Sequence, residues 1–245
     1  MRNIKLTIEY DGTDFAGWQL QPGERTVQGV IEKALNKTLG EKMRVIASGR
    51  TDSGVHAKAQ AANFKTNSNL SYDSIKKALN AKLPPDVAIK DCRRASEDFN
   101  ARFDAKLKTY RYTISNSPVR PAIARRYAYF MPQPLNVCLM RKEADALIGR
   151  KDFKSFHASG RSVKDFRRHI KSILIKKDRD NFIYVDIEAD GFLYNMARNI
   201  VGTLVEVARG KLPAGSTTKI LKARDRRGAG PTMPAKGLCL LEVKY

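Results

Sequence analysis

At 245 residues the chain can bury a sizeable core, as one large domain or as two small ones. Its 42% hydrophobic and 8% aromatic residues exclude a disordered chain, and 46 Lys and Arg against 25 Asp and Glu give a formal net charge of +21. Self-repulsion on that scale destabilises a compact state, so a polyanion, nucleic acid above all, is the expected partner.

From the N-terminus, Ile4, Leu6, Ile8 and Tyr10 alternate with polar residues and predict a first strand. Thr26 is placed to cap a helix whose apolar stripe, Val27, Val30, Ile31, Ala34, Leu35 and Leu39, stops at Gly40. Strands are expected near 44–47 and 59–64. A second helix starts at about Tyr72, turns Ile75, Ala78, Leu79 and Leu83 inward and stops at Pro84-Pro85, and a strand follows over 86–91. The order is β-α-β-β-α-β.

The second half repeats it. A strand over 108–115 puts Tyr110, Tyr112 and Ile114 on one face, and a helix over 136–148 ends at Gly149. Strands over 170–176 and 182–188 flank an Asp178-Arg179-Asp180-Asn181 turn. A long helix over 193–208 carries Ala197, Ile200, Val201, Leu204 and Ala208 and is stopped by Gly210; a short helix near 218–223 and a strand over 238–245 complete the set. The pattern predicts an α+β protein of two ferredoxin-like halves, 1–105 and 106–245, sharing an extended mixed or antiparallel sheet with helices on one face and a central cleft. One long irregular segment, 155–169, carries Arg161, Lys164, Arg167 and Arg168 and reads as an RNA-facing flap.

Several chemistries are excluded by absence from the sequence. Cys92, Cys138 and Cys239 are an odd, scattered set with no Cys-x-x-Cys pair, and His56, His157 and His169 lack metal-ligand spacing, so neither a disulfide framework nor a metal is expected. No Gly-x-x-x-x-Gly-Lys-Ser/Thr loop or Gly-x-Gly-x-x-Gly turn offers a cradle for a nucleotide cofactor. The opening segment lacks the apolar core of a signal peptide, and no apolar stretch approaches the ~20 residues of a bilayer span. A soluble cytoplasmic protein without membrane contact or small-molecule cofactor is expected.

The chemistry then rests on side chains, and the segment 47–57 stands out. It follows a strand and sets two glycines around Arg50-Thr51-Asp52-Ser53, where close approach of a ligand is possible. Arg50 and Asp52 are two apart and share a face of extended backbone. An arginine beside a carboxylate favours its charged form, which suits a nucleophile. The plainer alternative is a turn-closing aspartate with Arg50 as a surface cation.

The string Gly49-Arg50-Thr51-Asp52-Ser53-Gly54-Val55-His56-Ala57 resembles the signature of the tRNA pseudouridine synthase A family, with Ser53 where alanine is more usual. Tyr10-Asp11-Gly12-Thr13-Asp14-Phe15-Ala16-Gly17-Trp18-Gln19 resembles its opening strand and loop. Phe99-Asn100-Ala101-Arg102-Phe103 with Tyr110-Arg111-Tyr112 resembles its middle motif. The run from Phe192 to Gly202 resembles its late helix, and Ala229-Gly230-Pro231-Thr232 through Gly237-Leu238 its closing segment.

The resemblance implies the pseudouridine synthase fold and isomerisation of uridine to pseudouridine in the anticodon arm of tRNA, at positions 38, 39 and 40, by a homodimer that also contacts the tRNA body. It implies Asp52 as nucleophile, Arg50 as the residue that helps flip the uridine and orient the aspartate, Tyr110 as the ring that stacks on the base, and Arg198 as the cation paired with the carboxylate. Substrate contacts are expected at Tyr110, Phe99, Arg102, Arg161, Lys164 and Arg168. The alternatives are a non-catalytic basic RNA-binding protein and a synthase of this fold acting at other RNA sites; residue by residue, Tyr110 could be an ordinary core aromatic and Arg198 a solvated cation.

Overall fold

Alternation along β1 (Arg2–Tyr10) buries Ile4, Leu6, Ile8 and Tyr10 almost completely, and this stripe organises the first of two units into which the chain divides. The computed structural model describes residues 1–158 and 163–245. The first unit holds Met1–Lys106 together with Cys239–Tyr245, and the second holds Leu107–Leu238.

In the first unit β1 is followed by α1 (Val27–Leu39), β2 (Ile46–Ala47), β3 (His56–Thr66), α2 (Tyr72–Lys82) and β4 (Val87–Arg94), the predicted β-α-β-β-α-β order. Strands β3 and β4 flank β1, both antiparallel, and β2 lies antiparallel on β3 with Ile46 opposite Asn63. Thr26 caps α1 by accepting from the Gly29 N–H, and the helix ends on Gly40 at φ 71, in the left-handed region that glycine tolerates. Ser71 caps α2 in the same way, accepting from the Ser74 N–H.

On the side of β1 away from the apolar stripe, Asn3 and Asn63 are both buried and bond each other at 2.9 Å. Asn3 Nδ2 also donates to the carbonyls of Ser96 and Phe99, each at 2.8 Å, and Asn63 Oδ1 accepts from the Ala101 N–H at 2.9 Å. Two asparagines therefore pin the Phe99–Phe103 motif to the sheet. Tyr245 packs its ring 4.9 Å from that of Phe99, and the Lys5 ammonium sits 3.5 Å from the Tyr245 centroid.

The second unit runs β5 (Leu107–Ser115), β6 (Tyr129–Phe130), α3 (Val137–Asp145), β7 (Gly149–Asp152), β8 (Arg167–Lys177), β9 (Phe182–Ala189), α4 (Met196–Ala208) and α5 (Ser216–Ala223). Its strands lie in the order β5-β9-β8-β7, all antiparallel, with β6 parallel to the end of β5. Helix α4 is buried nearly all round, from Met196 to Ala208, and forms the centre of this unit's core. The last strand, β10 (Leu238–Lys244), read from the sequence with the second half, belongs from Cys239 onward to the first unit, where it runs parallel to β3 with Cys239 opposite His56.

The α+β class and the principal elements follow the sequence. The differences lie in polar segments. Both ends of the irregular stretch expected over 155–169 are regular: residues 154–156 form a 3-10 turn, and Arg167, Arg168 and His169 already belong to β8, paired with Asp152, Lys151 and Arg150 of β7; residues 159–162 of that stretch lie outside the described residues. Strand β7, Gly149-Arg150-Lys151-Asp152, ends its sheet and has no apolar alternation to reveal it. Helix α3 stops at Asp145 rather than Ile148, and α4 starts at Met196 because Asn195 takes φ 58 and breaks the turn before it.

Glu143 on α3 is 4% exposed and accepts from the N–H groups of Gly215 at 2.5 Å and Thr217 at 3.0 Å, fixing the start of α5. Burial alone would raise its pKa, but the two backbone donors outweigh it and hold the carboxyl below the usual glutamate value. A depressed folded-state pKa contributes stability that is full above the unfolded value of about 4.3 and is lost as pH falls through the folded one. Glu143→Gln is therefore expected to destabilise the protein by about 1–2 kcal/mol at pH 7, with the difference from wild type shrinking below about pH 4, as read by denaturant unfolding across pH.

Candidate active site

Asp52 lies in the turn between β2 and β3, half-buried, with Thr51 turned inward at 5% exposure and Arg50 turned out to solvent. This is the alternation expected of extended backbone, which sets Arg50 and Asp52 on the outer side. The Arg50 guanidinium makes no ion pair among the described residues.

The loop is held from the side by the segment after β1. The Trp18 N–H donates to Thr51 O at 3.1 Å, and Gly54 N–H and Ser53 Oγ both donate to Phe15 O, at 3.3 and 3.1 Å. The two backbones meet without side chains. A Cβ on Gly12 would lie 2.0 Å from Val55 O, and one on Gly17, itself at φ 100, 2.8 Å from Thr51 O. The same segment reaches α1, whose Val27 and Gln28 N–H groups donate to Gly17 O and Trp18 O at 3.1 and 3.0 Å. Nδ1 of His56 lies 3.0 Å from both Gly12 N and Asp11 Oδ1. Either contact ties the Asp11-Gly12 turn to the start of β3.

Beneath the loop lies a set of buried polar side chains that the sequence reading did not single out. Tyr10 Oη and Thr51 Oγ1 are 2.7 Å apart, and Gln60 also bonds the Tyr10 hydroxyl. Gln60 Nε2 donates to Gly49 O at 2.8 Å, and Gln60 Oε1 accepts from Ser48 Oγ at 2.6 Å. Burial pushes the Tyr10 hydroxyl well above the usual tyrosine pKa, more than its hydrogen bonds bring it down, so it stays protonated. The available signal was Gln60, a buried amide followed in its strand by the apolar, buried Ala61 and Ala62.

In the second unit Tyr110 on β5 is 8% exposed and meets Phe192 edge-on, ring centroids 4.9 Å apart. Arg198 sits in the first turn of α4, where Nε donates to Met233 O at 2.6 Å and Nη1 to Asn195 Oδ1 at 2.7 Å. The burial of Tyr110 is that of a core aromatic as well, whereas Arg198 is half-buried and held on two sides rather than solvated. Tyr112 donates to Pro234 O at 2.8 Å, so the 233–234 segment is gripped by both residues.

Of the other expected contacts, Phe99 is half-buried and Arg102 exposed, with its guanidinium 5.3 Å from the exposed Phe103 ring. Lys164 is exposed. Arg168 turns back on its own loop, donating to Asp165 O at 3.0 Å and Arg167 O at 2.6 Å. Arg161 lies outside the described residues. Among the described residues no group of His, Cys, Asp and Glu could hold a metal ion, and no helix is long and apolar enough to cross a membrane.

Because the Gly12 approach leaves no room for a methyl group, Gly12→Ala is expected to cost about 1–3 kcal/mol and to lower the melting temperature by roughly 3–10 °C in a thermal scan.

The family model described as tRNA pseudouridine synthase matches residues 6–104 and 144–245. A tRNA pseudouridine synthase A of Caldicellulosiruptor bescii is 47% identical over 245 residues, covering 100% of both chains. The tRNA pseudouridine synthase A 2 of Clostridium perfringens is likewise 47% identical over the full length of both, and a tRNA pseudouridine synthase A of Moorella thermoacetica is 45% identical over 99% of each. The matches run over nearly the whole chain, and the chain belongs to the tRNA pseudouridine synthases.

Proposed function

We propose that the protein converts uridines of the tRNA anticodon arm to pseudouridine, with Asp52 as the nucleophile. As a tRNA pseudouridine synthase it is an isomerase. The uracil is detached from its ribose, turned, and rejoined through carbon instead of nitrogen; the proton displaced from that carbon is lost as the freed nitrogen gains one. No atom is added overall, so the reaction draws on no cofactor.

The observation that carries this reading is the placement of Asp52: a half-buried carboxylate on a loop fixed from the side by backbone bonds and from below by buried hydroxyl and amide groups. A nucleophile gains from such preorganisation, whereas a turn-closing aspartate has no need of it. Exposed Arg50 is available to meet RNA and assist the flip of the uridine. Tyr110, its ring set against Phe192, is the stacking surface, a contact worth about 1–3 kcal/mol per base. Arg198, held by Met233 and Asn195, is the cation that keeps the catalytic carboxylate ionised.

The anticodon arm suits this chemistry because flipping a base costs a few kcal/mol and costs least where pairing is weak or absent. The surplus of basic residues supplies that energy through phosphate contacts and counterion release. Phe99, Arg102, Lys164 and Arg168, with Arg161, belong to the RNA-binding surface in this reading, and the enzyme acts in the cytoplasm as a homodimer.

Nucleoside analysis of unmodified tRNA incubated with the purified protein and no additive should show pseudouridine at the anticodon arm. Asp52→Asn should lower its formation about 10³-fold or more while tRNA binding persists. Full activity in that variant, or product confined to other sites, would overturn the assignment. Titrations at several salt concentrations should show Lys164→Ala reducing the slope of log K against log salt by about one, the mark of a lost phosphate contact.

A further inference from the structure

A loop carrying a nucleophile between two strands could be braced by apolar packing alone. Here the brace is polar. Tyr10, Ser48, Thr51 and Gln60 are 3%, 1%, 5% and 0% exposed, and their hydrogen bonds run to one another and to the loop itself. Tyr10 reaches Thr51, the residue before Asp52, while Gln60 reaches Gly49 and Ser48 on the other side of Arg50. Burying such groups costs free energy that their bonds only just return, and Phe, Val and Leu of similar shape would fill the same space without that cost. What apolar side chains cannot supply is direction. A hydroxyl on Thr51 met at 2.7 Å fixes the rotation of that residue, and with it the orientation of the backbone leading into Asp52.

We infer that Tyr10, Thr51 and Gln60 form a positioning network that sets the angle of the Asp52 carboxylate toward the uridine, acting through the backbone of residues 49–51 and touching no substrate. The inference rests on Asp52 being the nucleophile. Carboxylate misplacement of about 1 Å costs on the order of 10²-fold in rate. The network acts in the chemical step and leaves tRNA binding, which is spread over the basic surface, unchanged.

Tyr10 is held in its neutral form by burial, so the network keeps its hydrogen bonds through the working pH range. A positioning role therefore lowers the rate equally at every pH. A role for Tyr10 as acid or base would instead move the pH profile.

The experiment compares Tyr10→Phe, Thr51→Val, Thr51→Ser and Gln60→Leu with wild type and with Asp52→Asn, using single-turnover pseudouridine formation, tRNA binding and thermal unfolding. Tyr10→Phe, Thr51→Val and Gln60→Leu are expected to lower the chemical rate about 10- to 100-fold with tRNA affinity within about twofold of wild type. Thr51→Ser, which keeps the hydroxyl, should recover most of the rate. Should Tyr10→Phe or Gln60→Leu fail to fold, the Thr51→Val and Thr51→Ser pair decides alone, since the first exchanges the hydroxyl for a methyl of nearly equal bulk and the second keeps the hydroxyl while losing the methyl. Wild-type rates in Thr51→Val, equal loss in Thr51→Ser, or a displaced pH profile in Tyr10→Phe would overturn the network. Activity retained by Asp52→Asn would instead overturn the nucleophile assignment beneath it.

Discussion

The first unit depends on two stretches of backbone meeting with nothing between them. Residues 12–18 lie against residues 51–55 so closely that a Cβ at Gly12 would fall 2.0 Å from a carbonyl oxygen. That contact ties the turn after β1, the loop before β3 and the first N–H groups of α1 into one body. Side-chain packing can slip between rotamers, but a backbone-to-backbone approach satisfied by hydrogen bonds has one arrangement.

The second unit uses the same device. A Cβ on Gly202 of α4 would lie 1.9 Å from Pro231 O, and the Gly230 N–H donates to Thr203 Oγ1 at 2.9 Å, so the 229–233 segment lies directly on the helix. Arg198 is one turn away and donates to the end of that segment. Arg226 reinforces it through Asn199 Oδ1 and Thr232 Oγ1 at 3.0 and 3.2 Å. In both units the residue assigned a chemical role is thus seated beside a glycine-mediated backbone approach. Neither depends on a long side chain packing well by itself, and both are backed by hydrogen bonds from buried polar groups.

Most of this architecture was legible because it follows hydrophobic period. The alternation in β1, the stripes of α1 and α4, and the caps at Thr26 and Gly40 are one-dimensional patterns with one physical solution. What escaped were segments whose structure is imposed from outside. Strand β7 is four polar or glycine residues paired along β8, β6 is two residues long, and the charged start of β8 has no alternation before Ile170. The candidate nucleophile was visible as a motif, yet the side chains beneath it were not. Tyr10 looks like one more apolar member of its strand, and only the fold brings its hydroxyl to Thr51, 41 positions away. Arg50 was legible too: spacing put it on the outer side with Asp52, and there it lies exposed beside the half-buried aspartate.

The return of β10 to the first unit has a consequence for how the protein is made. Residues 239–245 lie beside β3 with Cys239 next to His56, at the foot of the Asp52 loop, although 132 residues of the second unit separate them in the chain from Lys106. On the ribosome, the second unit has emerged in full before the first receives its last strand. Domains tend to fold as they appear, N-terminal first. Here the nascent first unit must wait with the start of β3, at His56 and Ala57, open on one edge, a template for unwanted pairing. The unit that carries the Asp52 loop is therefore finished last, and a translation product that stops short of β10 leaves that loop without its neighbour.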